Sequence, residues 1–97
     1  VDIKARISFL KIPRPPYGYR YFGKSCWMRM DSEKFSDLAC CVGFADGQEY
    51  YDGDSAESTL SFYKDEPLIH EINTGMNFSL RILDLQVATG QILSVKG

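Results

Sequence analysis

Residues 1–9, Val1-Asp2-Ile3-Lys4-Ala5-Arg6-Ile7-Ser8-Phe9, alternate apolar and polar side chains without a break. Successive residues of an extended chain point to opposite faces. Val1, Ile3, Ala5, Ile7 and Phe9 therefore fall on one side and Asp2, Lys4, Arg6 and Ser8 on the other, the pattern of a strand buried on one face. The same period of two recurs downstream. Cys26, Met28 and Met30 oppose Trp27 and Arg29, and Leu38, Cys40, Val42 and Phe44 form the inward set of a strand over 38–45. Ala56, Ser58, Leu60 and Phe62 alternate with Glu57, Thr59, Ser61 and Tyr63. Beyond Pro67 come Leu68, Ile69 and Ile72, then Phe78, Leu80 and Ile82 facing inward with Ser79 and Arg81 outward. A last strand runs from Val87 to Val95, with Gly90 as its expected bulge. No segment keeps a helical period of 3.6 over three turns.

Turn chemistry separates these runs at short intervals: Asp46-Gly47, Asp52-Gly53-Asp54, Lys64 to Pro67, and Asn73-Thr74-Gly75. A chain of 97 residues has room for a single domain, here residues 1–97. Six or seven short antiparallel strands in so small a chain must eliminate their edges. The reading is an all-β, closed antiparallel barrel.

The net charge of −2 hides an asymmetry. Residues 1–30 carry Lys4, Arg6, Lys11, Arg14, Arg20, Lys24 and Arg29 against Asp2 alone, about +6, while the remaining residues sum to about −8. Much of the positive charge lies in or beside a proline- and glycine-broken loop from Pro13 to about Lys24, where Tyr17, Tyr19, Tyr21 and Phe22 are interleaved. Arginine for phosphate and aromatic faces for stacking are what an RNA surface needs; Tyr, Trp and Arg are equally the residues that anchor protein interfaces. The plain structural alternative is that the aromatics plug a barrel end and the charges are solvated.

Several chemistries have no sequence support. No run of about 18 apolar residues could form a membrane-spanning helix, and no secretory signal opens the chain, so a cytoplasmic address is expected. Three cysteines, an odd number without a C-x-x-C pair, read as reduced thiols. One histidine, His70, cannot build a His-based metal site, and the acidic group Asp46, Glu49, Asp52 and Asp54 lacks the spacing of a calcium loop and reads as turn chemistry. No G-x-x-x-x-G-K-[ST] loop is present, so no nucleotide, GTPase activity or other cofactor is expected. Asp65-Glu66 reads as a turn rather than an acid/base pair. A nucleophilic pairing of Cys40 or Cys41 with His70 has no local signature, and the expectation is a non-catalytic chain.

The C-terminal half resembles the third, C-terminal barrel domain of elongation factor Tu. The resemblance is carried by Gly53-Asp54, Leu60, Phe62, Pro67 and Glu71, and by the stretch Gly75-Met76-Asn77-Phe78-Ser79-Leu80-Arg81 through Val87 and Gly90-Gln91-Ile92-Leu93. Upstream, residues 3–10, Gly18-Tyr19-Arg20 and Cys26-Trp27-Met28-Arg29 are similar more loosely. The chain departs from the pattern in having Asp52 for a proline, a longer loop between Gly18 and Arg29, and extra residues around Pro67. It also has Ile82-Leu83-Asp84 where the family has an acidic-glycine-glycine turn. In the family that turn helps hold the T stem of aminoacyl-tRNA; its glycines are what allow backbone to approach a phosphate closely. The resemblance implies a six- to seven-stranded barrel and a stand-alone binding module without the nucleotide-binding engine. The surface singled out comprises Arg14, Tyr17, Tyr19, Arg20, Lys24, Trp27, Arg29 and Arg81. A protein partner is favoured there, because the acidic two-thirds of the chain repels phosphate. The alternative is tRNA or RNA, with Arg20, Lys24, Arg29 and Arg81 on phosphates. Neither membrane nor nucleotide is expected as a partner.

Overall fold

A computed structural model of the chain describes residues 2–11, 20–21, 25–44 and 49–97, with backbone alone at 20 and 21. Arg14, Tyr17, Tyr19, Lys24 and the Asp46-Gly47 turn lie outside the described residues. Among the described residues eight strands form: β1 (Asp2–Phe9), β2 (Arg20–Tyr21), β3 (Ser25–Asp31), β4 (Leu38–Gly43), β5 (Tyr50–Tyr51), β6 (Ser55–Ser61), β7 (Asn77–Ile82) and β8 (Leu85–Lys96). One 3-10 helix, Pro67–Glu71, links β6 to β7. Six of the strands close into an antiparallel barrel in the order β1-β6-β4-β3-β7-β8, and β2 and β5 make a separate two-residue ladder.

The alternation of the first nine residues becomes the closure of the barrel. β1 pairs with β6 through Ile3↔Leu60 to Ser8↔Ser55, and with β8 through Asp2↔Lys96 to Phe9↔Ala88. Every backbone group on either side of β1 thus has a ladder to join, which removes the exposed edges a short sheet would carry. Ile3, Ala5, Ile7 and Phe9 all lie inside, each at most 3% exposed. They meet the inward residues of the other strands, among them Met28, Met30, Leu38, Cys40, Val42, Leu60, Leu80 and Ile92.

A six-stranded barrel leaves room for little more than side chains, so the inward pairs couple large with small. Ile7 stands opposite Ala56, Ala5 opposite Ile92, Leu80 opposite Ala88, and Phe78 opposite Gly90. The Phe78 ring occupies the space a side chain at 90 would need: a Cβ there would lie 2.3 Å from Phe78 Cζ and 2.9 Å from the Arg6 carbonyl oxygen.

Gly90 is therefore not a bulge. It pairs regularly with Ile7 on one side and Phe78 on the other. The irregularities sit elsewhere in β8. Leu93 is skipped between Lys4↔Ser94 and Ala5↔Ile92, and Val87 is skipped between Leu80↔Ala88 and Arg81↔Gln86. The second of these turns two successive residues, Val87 and Ala88, inward together.

Other boundaries differ from the sequence reading in ways with physical causes. β4 ends at Gly43, although Phe44 beyond it is still buried. The segment after Pro67 is a 3-10 turn, begun by the Glu66 carboxylate accepting from the Leu68 N–H at 3.2 Å; Leu68 and Ile69 pack from it against the core and Ile72 is buried behind it. The loop expected to lack any ladder contributes β2, which pairs Arg20 with Tyr51 and Tyr21 with Tyr50. The link 32–37, polar in sequence, buries Phe35. Phe9, Phe44 and Tyr50 pack together at the end of β1, with ring centroids 5.4 to 6.3 Å apart.

Gly90→Ala is expected to lower unfolding stability by about 1–3 kcal/mol through overpacking against Phe78. In urea denaturation its effect should be less than additive with Phe78→Leu, which frees that space. Ser58, 4% exposed and facing inward, has a hydroxyl with no hydrogen-bond partner among the described residues. Removing an unsatisfied buried hydroxyl relieves a desolvation penalty, so Ser58→Ala should raise stability by about 1 kcal/mol in the same assay.

Candidate functional site

The outward residues of β3 are set by the alternation that buries Met28 and Met30. Trp27 and Arg29 project from the barrel wall, opposite Cys41 and Ala39 of β4. Trp27 stacks on Tyr63, which follows β6, with ring centroids 4.9 Å apart and planes inclined by 21°. Ala39 lies in the floor beside the pair, together with Met28, Arg29, Arg81, Ile82 and Leu83, which complete a groove of about 240 Å³. Trp27 is 50% exposed, Tyr63 62% and Leu83 84%. Three of the four exposed large hydrophobic residues among those described thus border one groove. Scattered exposed apolar residues are ordinary; a cluster is a mark of interaction surface.

Leu83 occupies the first position of the two-residue turn between β7 and β8, closed by the Ile82↔Leu85 pair. Its φ of 55° is left-handed. That region favours glycine at this position of a hairpin turn, and costs an ordinary L-residue on the order of 1 kcal/mol. Exposure and strain fall on the same bulky side chain.

Arg81 braces this turn. Its Nη1 donates to the Leu83 carbonyl oxygen at 3.0 Å, its Nε to Asp31 Oδ2 at 2.9 Å and its Nη2 to Asp37 Oδ1 at 2.6 Å. The Asp37 N–H in turn donates to Asp31 Oδ1 at 2.8 Å, fastening the link 32–37 to the end of β3. Asp37 is itself left-handed, φ 60°, a conformation aspartate tolerates. Arg81 also stands directly opposite Arg29 in the β3–β7 register. Two like charges at paired positions repel, and the two carboxylates offset that repulsion unequally. Arg29 reaches Asp37 only at 3.4 Å, Nη1 donating to the carbonyl oxygen, and at 3.8 Å between Nε and Oδ1.

The Asp37 N–H and then the Arg81 guanidinium hold the Asp31 carboxyl below the usual carboxylate range, against the opposing effect of burial. The pairing with Asp31 and Asp37 likewise raises Arg81.

Of the residues singled out in sequence, Trp27, Arg29 and Arg81 share this wall. The β2 backbone carries Arg20 beside Tyr51. Arg81 is committed to two acids and a turn carbonyl rather than free for a phosphate. Tyr63 and Leu83 were not singled out. The alternation of 56–63 already set Tyr63 on the face opposite Leu60 and Phe62, whereas Leu83 stood in a short segment with no pattern of its own.

Two of the thiols are shifted away from nucleophilic character. Burial pushes Cys40 up to about 12 and raises Cys26 as well; nucleophilic cysteines need the opposite shift. His70 is exposed on the 3-10 helix. A second, larger depression of about 570 Å³ crosses β1, β8 and β7. Its outward residues are mostly polar, including Ser8, Asn77, Ser79, Thr89 and Gln91, and it lacks exposed aromatic anchors. Among the described residues no helix is long and apolar enough to cross a membrane.

No protein-family model matches the chain, and no curated protein is found to be related to it.

Because Asp31 is the stronger acid when folded, the clamp's contribution to stability is complete above the ordinary carboxylate value of about 3.9 and is lost as pH falls through the lowered one. Asp31→Asn is expected to flatten the acid limb of a stability–pH profile measured by urea denaturation. An unchanged slope between wild type and variant would contradict the clamp.

Proposed function

We propose that the chain is a non-catalytic binding module, resembling a stand-alone third domain of elongation factor Tu, that engages a protein partner through the wall formed by Trp27, Tyr63, Arg29 and Leu83. The observation that carries this reading is the exposed Trp27–Tyr63 stack next to a strained, exposed Leu83. A leucine in a left-handed turn position sacrifices stability. Such strain concentrates where a side chain is held out for a ligand. Aromatic and arginine anchors around a small slot are the composition of an interface hot spot.

A protein is favoured over RNA because the arginine that would meet a phosphate is already engaged. Arg81, placed by the resemblance near a tRNA phosphate, is neutralised by Asp31 and Asp37, and the close-approach glycines of the turn are replaced by Leu83 and Asp84. The resemblance itself is carried from Gly53-Asp54 onward, with ungapped spacing over residues 75–93, and draws support from the closed antiparallel barrel. A reducing, cytoplasmic setting is supported by three unpaired cysteines.

The test is affinity capture by the full chain from a nuclease-treated lysate, run beside Trp27→Ala and Leu83→Gly. A defined protein retained by the wild type should be lost with both variants, since truncating a hot-spot residue costs about 2 kcal/mol or more, roughly thirtyfold in affinity. Leu83→Gly should bind less while its thermal midpoint is unchanged or higher, because glycine accepts the turn without strain. Capture indifferent to both substitutions, or recovery of nucleic acid alone before nuclease treatment, would overturn the proposal.

A further inference from the structure

The groove's size and charge specify what part of a partner it takes. Its volume of about 240 Å³ falls below the roughly 300–1,000 Å³ of sites that enclose a whole small molecule. It suits one large apolar side chain, laid between the Trp27–Tyr63 stack and Leu83. At the rim stands Arg29, its side chain 49% exposed. A guanidinium has five N–H donors in a planar fork. Among the described residues Arg29 uses only the 3.4 Å bond to the Asp37 carbonyl oxygen and a 3.8 Å approach to its carboxylate. The shared anion has gone to Arg81, at 2.6 Å. Among the described residues Arg29 is thus a half-exposed cation facing a like charge across the β3–β7 pairing, with most of its donors unpaired.

We propose that the groove recognises a short acidic–apolar peptide segment of the partner: one apolar side chain enters beside Trp27, and a neighbouring Asp or Glu carboxylate accepts hydrogen bonds from Arg29. The fork geometry of Arg29 matches a carboxylate bidentately. A single negative charge completes the partial neutralisation of Arg29. A dianionic phosphate would bring its second charge up against Asp31 and Asp37, so the carboxylate is the better fit. This proposal rests on the protein-binding reading above and adds the identity of the segment bound.

The experiment pans a phage-displayed random dodecapeptide library on the full chain and titrates the recovered peptides, labelled at one end with fluorescein, by fluorescence anisotropy, a signal that the Trp27→Ala variant also gives. The recovered sequences should share an apolar residue within one or two positions of Asp or Glu. Arg29→Gln should weaken them about tenfold or more, as expected for a hydrogen bond between charged groups, with Arg29→Lys intermediate. Replacing the peptide's Asp or Glu by the amide should weaken binding to the wild type equally and to Arg29→Gln no further, the non-additivity of a direct pair. Circular dichroism confirms that each variant is folded. Peptides that require Trp27 and Leu83 but ignore Arg29 and carry no acid would overturn the carboxylate assignment and leave the protein-binding reading standing. Failure to recover any peptide sensitive to Trp27→Ala or Leu83→Gly would overturn both. So would a uridine octanucleotide that binds more tightly than the peptides at 0.15 M salt.

Discussion

The pairing of β1 with both β6 and β8 is the constraint on which the remaining structure depends. With β1 in place no strand of the six has an open edge, and the interior is fixed at the width of its side chains. That width then dictates residue size pair by pair. Ile7 requires Ala56, Leu80 requires Ala88, and Phe78 requires nothing larger than a glycine at position 90. Of the two irregularities in β8, the skip at Val87 serves the same filling, since it turns two consecutive residues into the core.

Closure also rearranges charge. A chain whose first 30 residues are strongly basic and whose remainder is acidic could hold two opposed surfaces. Among the described residues antiparallel pairing counters this by setting early strands beside late ones. Arg29 of β3 faces Arg81 of β7 and shares Asp37 with it; Arg6 of β1 stands opposite Glu57 of β6; Lys4 donates to Thr59. The described surface is interleaved rather than polarised, and for this reason an anchor of aromatic and apolar side chains, not a field of positive charge, distinguishes the Trp27 wall.

That wall combines rigidity with strain. Arg81 ties together the link after β3 and the turn after β7 through three hydrogen-bond acceptors belonging to Asp31, Asp37 and Leu83. The turn it braces presents Leu83 at a positive φ, beside aromatic rings that already stack on each other. A preformed surface of this kind loses little conformational freedom on binding. Arg81 contributes by holding the turn in place, while Arg29, less fully paired, remains available to a ligand.

Alternation along the chain divides the residues of the longer strands between two faces, because a two-residue period fixes facing before any partner strand is known. It set Trp27 and Arg29 on the face opposite Met28 and Met30, and put Arg81 outside and Leu80 inside. It did not place the bulges of β8, since Gly90 looks like an irregularity locally and is explained only by the Phe78 ring across the ladder. Nor could it join Trp27 to Tyr63, 36 positions away, or show that Arg29 and Arg81 meet across β3 and β7. Those depend on register between strands distant in the chain. Leu83 is likewise decided by the fold: its left-handed backbone and exposure follow from the tight closure of the β7–β8 hairpin. Local alternation is written residue by residue, whereas the groove exists only where non-local pairing brings four segments to one wall.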